Sequence, residues 1–226
     1  MYKTKGFSLV ELLVVVIILS TLTTMTVLYL APHRRQIKAD DAARAFYNTA
    51  RQARILSITR RTYYAVVINT AETEQNLTLS NSTLSLKFIG NSVSLVDMGS
   101  LSSQTDERIQ NVNIYPRDVI VNPTDAVAYF IPNKTTKFPP LERTFTDSAF
   151  PSSTYVFYFD PAGRALNAAT ESANQLYRTF YFCPQKESSS NAQGMNALTR
   201  AITLYGATGG VSFWRYEQDQ WRNNRQ

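Results

Sequence analysis

Cysteine and histidine are nearly missing from this 226-residue chain, at one each. A single cysteine forms no intrachain disulfide, so cysteine pairing says nothing about compartment. Cys183 ends the apolar, aromatic run Tyr177-Arg178-Thr179-Phe180-Tyr181-Phe182-Cys183, which points to a buried, inert thiol. His33 lies beside a long apolar segment far away in the sequence, so a Cys/His nucleophile pair is not expected. No cluster of His, Cys and acidic residues suggests a metal; Glu217 and Asp219 are too few for calcium, which takes about six to eight oxygens. Neither a metal nor a cofactor is expected. Glycine is sparse, 8 residues, and none forms a Gly-rich phosphate loop, which excludes an ATPase motor on motif grounds. No internal repeat is visible.

What is present suits a packed domain. Hydrophobic residues make up 44% and aromatics 12%, so wholesale disorder is not expected. The formal charge is +6 and the isoelectric point about 9.4, a modest excess that an ordinary basic surface explains better than a nucleic-acid or membrane role.

The N-terminus is the most informative region. From Leu12 to Pro32 there is no charged side chain. At about 1.5 Å per residue this run reaches roughly 30 Å, enough to cross a bilayer core as a helix. Lys3 and Lys5 precede it and Arg34, Arg35 and Lys38 follow, so positive charge does not orient it. Glu11 is the anomaly, four residues into the apolar run from Phe7. A carboxylate deep in a membrane helix costs about 2.5–3.5 kcal/mol on insertion scales. A secretory signal peptide has no use for it, and Tyr29-Leu30-Ala31 is a poor cleavage site for one.

Gly6-Phe7-Ser8-Leu9-Val10-Glu11-Leu12-Leu13 resembles the N-terminal signal of type IV prepilins and type II secretion pseudopilins. The resemblance implies that a prepilin peptidase cuts between Gly6 and Phe7, that the new Phe7 amine is N-methylated, and that the apolar helix is kept. It also implies a single-pass protein of the bacterial inner membrane with its N-terminus in the cytoplasm. The globular part then lies outside the cytoplasm and later joins a periplasmic pseudopilus or a cell-surface filament. In a dry filament core an unpaired Glu11 carboxylate is expensive, and the Phe7 amine of a neighbouring subunit is a suitable partner that sets axial register.

Beyond Pro32, which should kink or locally open the helix, Ala39, Ala43, Phe46, Ala50, Ala53 and Ser57 recur at helical spacing. Arg44, Tyr47, Arg51 and Arg54 take the opposite or flanking face. This predicts an amphipathic helix over about Gln36 to Thr59, packed on a sheet. After Arg61 the period becomes two. Strands are predicted at 63–68, 84–89, 92–96, 112–115, 119–121, 127–131, 155–159, 177–183, 201–205 and 211–216, with surface loops at 70–83, 132–153 and 185–196. The fold class is α+β: a long N-terminal helix, transmembrane then amphipathic, on an antiparallel β-sheet domain. The expected organisation is a leader at 1–6, a transmembrane and filament-core helix at 7–32, an amphipathic helix at 33–61 and a β-rich domain at 62–226.

Three further patches are similar to the GspH/FimT group of H-type pseudopilins and FimT-like minor pilins. They are Ala50-Arg51-Gln52-Ala53-Arg54, Phe157-Tyr158-Phe159-Asp160-Pro161-Ala162-Gly163-Arg164, and Arg200-Ala201-Ile202-Thr203-Leu204 with Thr208-Gly209-Gly210-Val211. Gly210 departs from the group, which often has Arg there. Pro at the second and Gly at the fourth position of Asp160–Gly163 also make a plain β-turn. The resemblance implies a non-enzymatic structural subunit whose partners are other pilin or pseudopilin subunits, the prepilin peptidase and an inner-membrane assembly platform. Lack of a calcium loop and of a disulfide favours a minor over a major subunit. The alternative is a DNA-binding minor pilin for natural transformation: Arg215, Arg222 and Arg225 interleave with Trp214, Tyr216 and Trp221 in the C-terminal tail, a pattern suited to phosphate contact and base stacking. A core-facing aromatic strand followed by a solvated tail explains the same residues.

Overall fold

The computed structural model describes residues 8–79, 85–99, 108–116, 119–121, 153–167, 177–184, 198–217 and 220–223. The chain divides into two compact units, Met1–Ile37 and Lys38–Gln226. Helix α1, Leu9–Arg60, begins in the first and ends in the second. It is unbroken at Pro32, so the missing backbone donor there does not end it.

In the first unit the stretch Leu9–Thr26 is wholly exposed and apolar enough to cross a membrane. Its hydroxyls are turned back on the helix. Thr21 donates to the Ile18 carbonyl (2.9 Å), Thr23 to Leu19 (2.6 Å), Thr24 to Ser20 (2.8 Å), Thr26 to Leu22 (2.8 Å), and Ser20 to Val16. These side chains therefore present methyl and methylene groups outward while their polar atoms are satisfied, as a hydrocarbon surrounding demands.

The second unit is built from strands that pair antiparallel. They are β1 (Tyr64–Asn69), β2 (Gln75–Thr78), β3 (Ser85–Phe88), β4 (Ser92–Asp97), β5 (Arg108–Ile114), β6 (Val119–Val121), β7 (Thr154–Phe159), β8 (Ala165–Leu166), β9 (Tyr177–Pro184), β10 (Arg200–Tyr205), β11 (Gly210–Glu217) and β12 (Gln220–Asn223). Among the described residues they form one sheet of order β5-β4-β1-β7-β8, a second of order β12-β11-β10-β9-β6, and a ribbon β2-β3.

The helix stripe read from the sequence is the helix's contribution to the core: Ala39, Ala43, Phe46, Ala50, Ala53 and Ser57 are all fully buried. Small side chains let the helix approach both sheets closely. Phe46 fills the space between them, with ring centroids 5.7 Å from Phe157, 5.0 Å from Phe180 and 5.6 Å from Phe182. Val66, Ile68, Phe157 and Phe159 reach this core from the first sheet, and Ile202, Leu204 and Phe213 from the second.

Both sheets bury their far faces as well. Ala65, Val67, Val156 and Tyr158 pack with Leu77 and Phe88 of the β2-β3 ribbon. This corrects the expected surface loop at 70–83: Gln75–Thr78 is a strand covering the back of β1 and β7. It also explains why β1 is buried at all six positions, since a strand covered on both faces loses its alternation. Tyr181, Cys183, Ala201, Trp214, Tyr216 and Trp221 form the corresponding cluster on the second sheet. The strand expected at 127–131 lies outside the described residues.

Candidate assembly site

Gly6 and Phe7 lie outside the described residues; the described chain begins at Ser8, and Glu11 is exposed in the first turn of α1. The Ser8 backbone N–H donates to the Glu11 carboxylate (3.4 Å) and the Val10 N–H donates to Ser8 Oγ (3.3 Å). This is a capping-box arrangement, in which two helix-start donors gain side-chain acceptors. The signal for it is the Ser-x-x-Glu spacing ahead of an apolar run, and reading Glu11 only as a charge in a membrane segment missed it. Replacing Ser8 with alanine is expected to weaken the first helical turn by about 1 kcal/mol. Faster amide hydrogen exchange at Val10 and Glu11 in micelles is the readout.

The arginines and aromatics of the tail do not form one surface. In a strand, alternate side chains take opposite faces, so residues interleaved in sequence are separated in space. Trp214, Tyr216 and Trp221 turn into the buried cluster on the far face of the second sheet, with the Trp221 ring 5.3 Å from Tyr216 and 5.9 Å from Tyr181. Trp221 is 7% exposed, too little to offer a stacking face. The tail is also not a free extension, because Gln220–Asn223 pairs with β11 and sets Arg222 opposite Arg215. Arg222 is exposed, and Arg225 lies outside the described residues.

Arg215 has a structural partner. Arg200 and Arg215 are directly opposed on β10 and β11, a repulsive pairing by itself. Asp40 from the helix answers both: Arg200 Nε donates to Asp40 Oδ1, and Arg215 Nη2 lies 3.6 Å from Oδ2. Arg200 is 2% exposed and also donates to the Thr199 carbonyl (3.1 Å).

The three patches that carry the subgroup resemblance meet at one place. The turn after β7 closes through Gly163 N–H to the Asp160 carbonyl (2.8 Å), with Arg164 bonded to the Asp160 carboxylate (2.6 Å). The β10–β11 turn lies against it, with Ala165 N–H donating to the Gly206 carbonyl (2.9 Å). Gly209 comes so close that a Cβ there would stand 1.7 Å from the Gly163 carbonyl oxygen. Arg54 and Ile58 of the helix border the same contact.

Cys183 is buried, and burial pushes its thiol up to about 12, with a hydrogen bond to Thr199 offsetting part of the effect. Folding therefore holds the thiol protonated where an unfolded one ionises, so this residue's support for the fold is complete below about pH 9 and is lost as pH rises towards 12. Iodoacetamide at pH 8 is expected to leave the folded chain unmodified and to alkylate it stoichiometrically in denaturant, read by intact mass.

No group of three or more His, Cys, Asp or Glu side chains able to hold a metal occurs among the described residues. Residues 1–27 match the family model described as the prokaryotic N-terminal methylation motif. The match supports a type IV pilin-like protein, and with it processing by a prepilin peptidase and assembly with other pilin subunits. It points to a structural subunit rather than an enzyme, and the exposed apolar helix is consistent with inner-membrane anchoring. Comparison with curated proteins and with solved structures finds no match.

Proposed function

We propose that this chain is a minor pilin or pseudopilin of the GspH/FimT group, cleaved between Gly6 and Phe7, N-methylated on Phe7, and built into a type II secretion pseudopilus or a type IV pilus. The observation that carries the subgroup is the junction of Gly163, Gly209 and Arg54, which draws together three patches far apart in sequence. A motif set scattered along a chain gains weight when its members form one structural unit. The DNA-binding alternative draws no support from Trp221, whose ring is buried, or from Arg215, which is held by Asp40.

In this reading the segment 7–32 spans the inner membrane with its N-terminus in the cytoplasm, and 62–226 stands outside. Glu11 has two successive partners. Before assembly its carboxylate caps its own helix at Ser8. In the filament it binds the cationic Phe7 amine of a neighbour, which fixes the axial register and compensates the buried charge. Lipid is replaced by other subunits along the exposed Leu, Val and Ile side chains.

Two measurements test this. Intact mass of the membrane-extracted protein is expected to lack Met1–Gly6 and to carry one added methyl group. Gly6→Val should retain the leader, because the peptidase must fit a residue without a branched side chain. A full-length species in peptidase-positive cells rules out processing. Glu11→Val is expected to leave membrane levels equal or higher, since a charge leaves the apolar run, and to lower the sheared-filament fraction severalfold. Normal incorporation would reduce Glu11 to a helix cap.

A further inference from the structure

Arg200, Arg215 and Arg222 stand directly opposite one another on β10, β11 and β12, so they make one row across three strands. Paired residues share a face, and Arg200 and Arg215 both reach Asp40, which puts the row on the helix side of the sheet. Neighbouring strands lie about 4.8 Å apart, so the row gathers three arginines within about 10 Å. Asp40 serves the first two unequally. Arg200 Nε donates to Oδ1, whereas Arg215 Nη2 stays 3.6 Å from Oδ2, beyond hydrogen-bond length. Arg215 Nε is buried with no hydrogen-bond partner among the described residues, so one shared carboxylate leaves this guanidinium under-satisfied. Its side chain is 28% exposed, and Arg222 beyond it is exposed. The outer part of the row presents positive charge to solvent.

The row has a definite place in the Lys38–Gln226 unit. The turn joining β10 to β11 abuts Gly163, Arg54 and Ile58, and the row lies at the other end of those strands, beside Asp40. Eight residues separate Asp40 from Pro32, where the uncharged run ends. That length of helix rises about 12 Å. Headgroups extend about 5–7 Å beyond the hydrocarbon core, and the remainder is less than the Debye length of about 10 Å. We propose that Arg215 and Arg222 bind the headgroup phosphate of an anionic phospholipid in the membrane that holds the apolar helix. A guanidinium pairs with phosphate oxygens bidentately, and the tether keeps the lipid at high effective concentration. The inference rests on the membrane-anchored reading of segment 7–32 and adds a specific lipid contact by the β-sheet. A nucleic acid is the poorer occupant. Duplex affinity grows with the number of phosphates neutralised, and the row is about one phosphate wide. Trp214, Tyr216 and Trp221 are buried on the other face of the sheet and offer no stacking surface beside it.

The test uses the full-length chain in nanodiscs of phosphatidylcholine alone or with about one-third phosphatidylglycerol. A photo-crosslinking amino acid replaces Asn223, the neighbour of Arg222 in β12. The expected product, read by intact mass, is an adduct with one phosphatidylglycerol, formed at least about tenfold more than any phosphatidylcholine adduct. Two basic residues at a membrane surface account for a change of that order. Arg215→Gln with Arg222→Gln should lower the yield at least about tenfold, and Arg215→Lys with Arg222→Lys should keep most of it. Arg51→Gln with Arg61→Gln removes the same charge from other exposed positions and should leave the yield unchanged. Thermal unfolding of each variant shows that it is folded. The proposal is overturned by no lipid adduct, by equal adducts with the two lipids, by a yield indifferent to loss of Arg215 and Arg222, by an equal loss in the Arg51 and Arg61 variant, or by loss of the adduct when duplex DNA or inorganic phosphate is added at physiological salt. Incorporation separates the two claims: a chain that enters the discs without a lipid adduct keeps its membrane anchor and loses only this contact, whereas a chain that enters neither disc removes the anchor reading.

Discussion

Asp40→Ala is expected to destabilise the Lys38–Gln226 unit by about 3–5 kcal/mol, the usual cost of leaving one member of a buried ion pair without its partner. Arg200 is 2% exposed, and its Nε donates to Asp40. Without the carboxylate, two opposed arginines remain, one of them cut off from water. For a domain of this size the loss corresponds to a fall of roughly 10 °C in melting temperature. Thermal unfolding of the full chain in a mild detergent measures it. The double variant Asp40→Ala with Arg200→Met should recover most of the loss, because an apolar side chain of similar length has no charge to compensate. Equal melting of the single and double variants would show that Asp40 acts only at the helix. Arg215→Ala, at a side chain 28% exposed, should cost less than about 1 kcal/mol.

That ion cluster was not legible in the sequence, where Asp40 falls near the start of the predicted helix and Arg200 just before the predicted strand 201–205. Their meeting depends on how β10 lies against the helix, and nothing local to either residue encodes it. Helix packing was legible because it is local: small and aromatic residues at three- and four-residue steps make a buried stripe on any helix. The longer strands were legible from their branched and aromatic side chains, except β5, Arg108–Ile114, of which only the end was predicted (112–115) because its first half is mostly polar. The short ones were not. Gln75–Thr78 has one apolar residue, Leu77, and its identity as a strand comes from pairing with Ser85–Phe88 over the back of β1. Ala165–Leu166 is two residues held by its neighbour β7. In the tail, the sequence left two arrangements open, a basic and aromatic surface or a core-facing aromatic strand, and the strand period sends Arg215 and Trp214 to opposite faces, as the second requires.

Gly209→Ala is expected to have a comparable effect by a different route. Gly209 has φ +59°, a backbone conformation that costs a residue with a side chain about 1–2 kcal/mol. The larger obstacle is steric. A methyl group at Gly209 would stand 1.7 Å from the Gly163 carbonyl oxygen, which is backbone and cannot rotate away. Gly163 is itself fixed, with φ +77° and the Ile58 side chain standing where a Cβ would go. The two turns must separate, and the Ala165–Gly206 hydrogen bond that joins them opens, for a further loss of about 1 kcal/mol. A total of about 3 kcal/mol follows, seen as a lower urea midpoint and faster proteolysis near residues 160–165. Gly210→Ala is the control. Its nearest neighbour is the Thr208 hydroxyl at 3.1 Å, a side-chain atom that can give way, and its φ is not positive. It should shift stability by less than about 1 kcal/mol. Equal effects at the two glycines would mean that the turns do not abut, and the strongest support for the subgroup assignment would go with them.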